Sequence, residues 1–150
     1  MKTILAAVCL SVSVLSVDAV SGFSPALGAE INERQRQKLN NLQHELSECA
    51  MFYSITAEGT KKSGSARGLE NSKRSGQLSD QMIELAVMLG PVIGMNQKGI
   101  EARFRISFNG MMDEMDDNFV NYSILLEKHA VSCAQLMEDL PKRAEDATNK

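Results

Sequence analysis

Apolar residues recur at every third or fourth position over most of this 150-residue chain, which is the period of an α-helix with one buried face. Leu39, Leu42, Leu46, Cys49 and Tyr53 form the first such stripe, broadened by Ala50 and Phe52. Charged and amide residues such as Glu33, Arg36, Lys38, Glu45 and Glu48 take the other face. Asn32 is a good N-cap, and Gln35 three residues later completes a capping-box pattern. The spacing predicts a helix over 32–57, stopped by Gly59. A second stripe, Leu78, Met82, Leu85, Leu89 and Val92, predicts a helix over about 78–89. Gly90-Pro91 then breaks or kinks the chain, and 90–99 reads as a turn.

The third stripe starts near Ile100 and runs through Phe104, Phe108, Met111, Met115, Phe119, Tyr122, Leu126, His129, Cys133, Leu136 and Leu140. One unbroken helix of that span would be ~60 Å long, more than the other segments could cover. A bend or break between Asn121 and Ser132 is therefore expected, giving a third helix and a short fourth. The polar stretch 139–150 is expected to fray. Such stripes bury themselves against one another, so the expected fold is all-α: a three- to four-helix antiparallel bundle over 30–150. With 5% aromatic residues, no Trp and 3 Pro, the composition disfavours a strand-rich sandwich.

Residues 59–76 differ in character. Gly59, Gly64, Gly68 and Gly76 mix with Ser63, Ser65, Ser72 and Ser75, and Lys61, Lys62, Arg67, Lys73 and Arg74 face only Glu70. This reads as a solvated Gly/Ser-rich basic loop. The other readings are extension of the neighbouring helices into it, since Ala66 and Leu69 could pack, and a basic patch for an anionic partner.

The N-terminus has the layout of a secretory signal over 1–29. Lys2 is followed by an uncharged run from Ile4 to Val17, shorter than a membrane span needs, and Asp18 ends it. Cleavage would fall after Ala19 or, slightly preferred, after Gly28 or Ala29. An uncleaved membrane anchor is the alternative. A lipoprotein reading of Cys9 is weak, because Val8 stands where a small residue is expected and the preceding run is too short. Cys9 would then leave with the signal, and no span would remain. Cys49 and Cys133 stay behind, 84 positions apart. An oxidising destination, periplasmic or secreted, favours pairing them; two buried free thiols are the other possibility.

Signatures of chemistry are few. Asp113, Glu114, Asp116 and Asp117 form an acidic knot, but no calcium-loop Gly follows and the helical period suggests a solvated helix face. Met111, Met112 and Met115 lie at helical spacing, with His129 further along the stripe. Thioethers with an imidazole could hold Cu(I), whereas Met on a core stripe commonly fills gaps. No Glu stands three residues before His44 or His129, as a di-iron bundle would need. No Cys-x-x-Cys-His, phosphate loop or Gly-x-Ser-x-Gly occurs. A net charge of −3 gives no field for nucleic acid.

The string Glu48-Cys49-Ala50-Met51-Phe52-Tyr53, with Cys133-Ala134-Gln135-Leu136 far downstream, resembles a pattern in small exported bacterial α-helical proteins of unassigned function: an E-C-A-x-[FY]-[FY] helix and a late C-x-x-L. The resemblance implies an extracytoplasmic helical fold with that cysteine pair and no particular activity. The functional expectation is a non-enzymatic exported binding or structural module. It would engage a protein partner through 90–99 or 59–76, with no catalytic residue and no cofactor. The alternative is a small-ligand or Cu(I) carrier using the Met-lined stripe. Inhibition of an enzyme would need only a surface.

Overall fold

Helix α1 (Glu33–Lys62) is capped as its sequence predicts. The Asn32 side-chain oxygen accepts from the Gln35 amide, and Gln35 Oε1 accepts from the Asn32 amide, both at 2.9 Å. The computed structural model describes residues 31–62 and 64–149; the signal segment expected at 1–29, with Cys9, lies outside the described residues. After α1 come α2 (Ala66–Val92), α3 (Gln97–Glu114), a 3-10 turn (Phe119–Asn121) and α4 (Ser123–Thr148). Residues 31–150 form one compact unit, with helices and no strands among the described residues.

The other three helices all lie against α1. Its register with α2 is antiparallel and is fixed by three hydrogen bonds. Arg36 Nη1 donates to the Ile93 carbonyl at 3.2 Å, Gln43 Nε2 to the Ala86 carbonyl at 3.3 Å, and the Ser79 hydroxyl to the Ala50 carbonyl at 2.9 Å. Each step from 36 to 43 to 50 on α1 matches a step from 93, the C-cap of α2, to 86 to 79 on α2, a heptad register. α4 also runs antiparallel to α1. Cys49 bonds to Cys133, with an S–S distance of 2.00 Å. Arg143 grips Glu45 bidentately at 2.5 and 2.7 Å, and Gln35 Nε2 donates to the Thr148 carbonyl at 2.7 Å. α3 runs parallel to α1, since Arg103 bonds Asn40 and Gln43 while Glu114, at its far end, approaches His129, which faces Phe52. The result is an up-down-up-down four-helix bundle closed by one disulfide.

Being covered on several sides, α1 buries more than its apolar stripe. Leu39, Leu46, Ala50, Phe52 and Ile55 are in the core, and so are Gln43, Ser47 and Thr60. Burial of these polar groups is compensated by hydrogen bonds: Ser47 to the Gln43 carbonyl and Thr60 to the Thr56 carbonyl, both 2.8 Å.

Several expectations need correction. The segment 59–76 is not a loop. α1 continues through Gly59 to Lys62, Gly64 turns the chain at φ +66°, and Ser65 caps α2 by accepting from the Gly68 amide at 3.0 Å. Gly68, Ser72, Ser75, Ser79 and Ala86 form a row of small residues that is buried or half-buried on α2. This lets the two backbones approach closely, and tertiary packing outweighs the weak helix propensity of Gly and Ser. Gly59 does not stop α1; it makes room for the Tyr122 ring, which a Cβ there would meet at 2.6 Å.

Nor is 90–99 a long turn. α2 passes through Pro91, one residue from its end, and closes in a Schellman motif. Gly94 at φ +79° donates to the Pro91 carbonyl at 3.0 Å, and the Met95 amide to the Gly90 carbonyl at 2.8 Å. Asn96 then caps α3. The break in the long third stripe falls at 115–122, earlier than the expected 121–132. Asp116 and Asp117, both at φ 54°, close α3 with the same pair of bonds, to the Asp113 and Met112 carbonyls. The acidic knot is therefore a helix terminus, not a regular helical face. This break shifts the phase of α4, so that Leu125 occupies the core and Leu126 is exposed. Finally, 139–148 is helical and docked: Ala147 is buried, and Lys38 Nζ donates to the Asp146 carbonyl at 2.7 Å.

Replacing Cys49 and Cys133 together by Ala releases an 84-residue cross-link and should lower the unfolding free energy in urea by about 4–5 kcal/mol. Gly59→Ala should destabilise by about 1–3 kcal/mol through overpacking. Gly76→Ala has open space at its Cβ and should stabilise by up to about 1 kcal/mol; thermal melts distinguish the two. Limited trypsin treatment should cut after Lys73 and Arg74 only at the global unfolding rate, whereas a loop would be cut there in the native state.

Candidate functional site

The hairpin end of α1 and α2 gathers the basic residues that the sequence places at 61–74. Lys61 and Lys62 occupy the last turn of α1, where cations complement the helix dipole. Arg67 sits in the first turn of α2, which carries no acid, so its charge opposes the dipole there. Lys61 reaches Glu58 at 3.8 Å. Lys62 Nζ lies 4.3 Å from the centre of the Phe119 ring, a cation–π contact that ties the 3-10 turn to the end of α1. No carboxylate partner is found for Arg67, Lys73 or Arg74 among the described residues. The Arg74 charge is felt by Tyr53, whose hydroxyl is pushed up by burial and partly drawn back by that charge. Leu69, 53% exposed, stands one turn from Lys73. A capped helix end thus presents the exposed cations Arg67, Lys73 and Arg74, with exposed Leu69 one turn from Lys73.

The other singled-out residues are placed as follows. Cys49 and Cys133 are joined and buried at 5% and 1% exposure. Met111, Met112 and Met115 lie in the core, where they fill space at the end of α3. His129 comes from α4 and lies beside Glu114 at the end of α3. Its ring faces Phe52 at 6.0 Å between centroids, and its buried Nε2 lies 3.9 Å from Glu114 Oε2 without a hydrogen bond. Glu114 also accepts from Lys128 Nζ at 2.7 Å, which joins α3 to α4. His44 pairs loosely with Glu48 at 3.7 Å. The described residues hold no group of three or more His, Cys, Asp or Glu side chains arranged for a metal ion, and no helix among them is long and apolar enough to cross a membrane.

The segment 90–99 is anchored by the Schellman motif and by Arg36 on the Ile93 carbonyl, so it offers little adaptable surface. Sequence reasoning found the basic cluster but missed its rigidity. The signal was the spacing of the small residues Gly68, Ser72, Ser75 and Ser79, which runs 4, 3, 4 as an apolar stripe does. No protein-family model, curated protein or solved structure matches this chain.

Proposed function

We propose that this chain is a non-enzymatic helical binding module, exported to the periplasm or beyond the cell, that engages an acidic protein partner with the basic end of its α1–α2 hairpin. The observation that carries this reading is the unneutralised set Arg67, Lys73 and Arg74, all exposed, held on a capped helix rather than a free loop. Preorganised cations lose little side-chain and backbone freedom on binding and raise the rate of encounter with an acidic surface. The internal disulfide supports an oxidising destination, and the similarity of the Glu48–Tyr53 string to small exported helical proteins supports the same placement.

The triple charge reversal Arg67→Glu, Lys73→Glu and Arg74→Glu alters exposed positions only and should leave the circular-dichroism spectrum and melting temperature nearly unchanged. It should abolish capture of the partner from native envelope extracts, and added salt should weaken wild-type capture. Reversal of Lys98 and Lys142, exposed elsewhere, serves as the control and should leave capture intact. Equal capture by the triple variant would reject the hairpin end as the docking surface.

A further inference from the structure

A cleft of about 390 Å³ opens between α1 and α3, well away from the hairpin end. Asn41 and His44 line it from α1, and Ala102, Arg103 and Ile106 from α3, with Met95 at one end. Arg103 is fixed in its wall. Its guanidinium donates to the Asn40 carbonyl at 3.4 Å, to Asn40 Oδ1 at 3.1 Å and to Gln43 Oε1. Gln43 is fully buried and anchored in turn on the Ala86 carbonyl. Every one of these acceptors is neutral.

The other arginines bound to α1 differ. Arg143 has Glu45, and Arg36 has Glu33 at 3.9 Å. No ion pair to Arg103 is found among the described residues, and no carboxylate lines the cleft. Burial pushes the Arg103 pKa down, as expected of a cation that has lost water and gained no counter-charge. A charge held in place by neutral groups, with part of its fork of N–H donors left over, is arranged to receive a carboxylate from outside. One wall of the cleft is apolar, formed by Ile106, 72% exposed, with Ala102 and Met95, while Asn41, His44 and Ser107 make the rest polar. The volume falls in the range of small-molecule sites.

We propose that the α1–α3 cleft binds a small amphipathic carboxylate, its carboxylate on Arg103 and its hydrocarbon part on Ile106, Ala102 and Met95. The test is an amide chemical-shift titration of the disulfide-bonded protein with hexanoate, hexanol and inorganic phosphate. Hexanoate should saturate, with shifts centred on Asn41, His44 and Ala102, and should bind about tenfold or more tightly than either control. Arg103→Gln should weaken hexanoate by about tenfold or more. Ile106→Glu, at a solvent-exposed position that leaves the core untouched, should do the same by placing a negative charge in the cleft. Absence of a saturable hexanoate response at millimolar concentration would overturn the proposal. So would equal binding by folded Ile106→Glu, or phosphate binding as tight as hexanoate.

Discussion

Covering one helix on several sides demands that its neighbours approach it differently. α1 meets that demand with small residues on the α2 side, a disulfide and a bidentate ion pair on the α4 side, and a polar network with Arg103 on the α3 side. Close backbone approach on the first side brings the Ser79 hydroxyl onto the Ala50 carbonyl and Gln43 onto the Ala86 carbonyl. These bonds fix register where apolar contacts alone would tolerate sliding by a turn. The disulfide then ties the fourth helix, the last element in the chain, to the middle of the first, which restricts the unfolded chain over 84 residues.

The long stripes were legible because they are coarse signals. Leu39, Leu42, Leu46 and Cys49 are buried where their spacing put them, and the Asn32–Gln35 cap forms. The cysteine pair was legible for a chemical reason: of the three cysteines, Cys49 and Cys133 fall on the apolar faces of helical segments, where they can meet. In the stretch 59–76 the preferred reading, a loop, weighed glycine and serine by propensity; the alternative, helices extended into it, is what forms, though Ala66 and Leu69, which could have packed there, are exposed. The role of glycine and serine here is volume: Ser79 is buried with its hydroxyl on the Ala50 carbonyl, Gly68 is buried with it, and the stripe is one of size rather than hydrophobicity. The early end of α3 was hidden for a similar reason. Asp116 and Asp117 read as helix-surface acids, yet each takes a left-handed conformation that Asp tolerates better than most residues.

The candidate sites show the same division. The cations of the hairpin end could be read directly, while their rigidity depended on the helix they sit on. Arg103 carried no signal at all. Its position among Asn40, Gln43 and Ile106 arises from the parallel placement of α3 over α1, a long-range fact that no local spacing encodes. The three methionines pack into the core at the end of α3, and the His129 imidazole on α4 lies beside Phe52 and Glu114.

The account rests on the register of α2 along α1, and cross-helix nuclear Overhauser contacts measure that register most directly. They should connect Ala50 with Ser79 and Gln43 with Ala86, and continue past Ala57 toward Ser72 and Gly68. Contacts displaced by a turn, or their absence between 57 and 72 with random-coil shifts over 66–76, would contradict it.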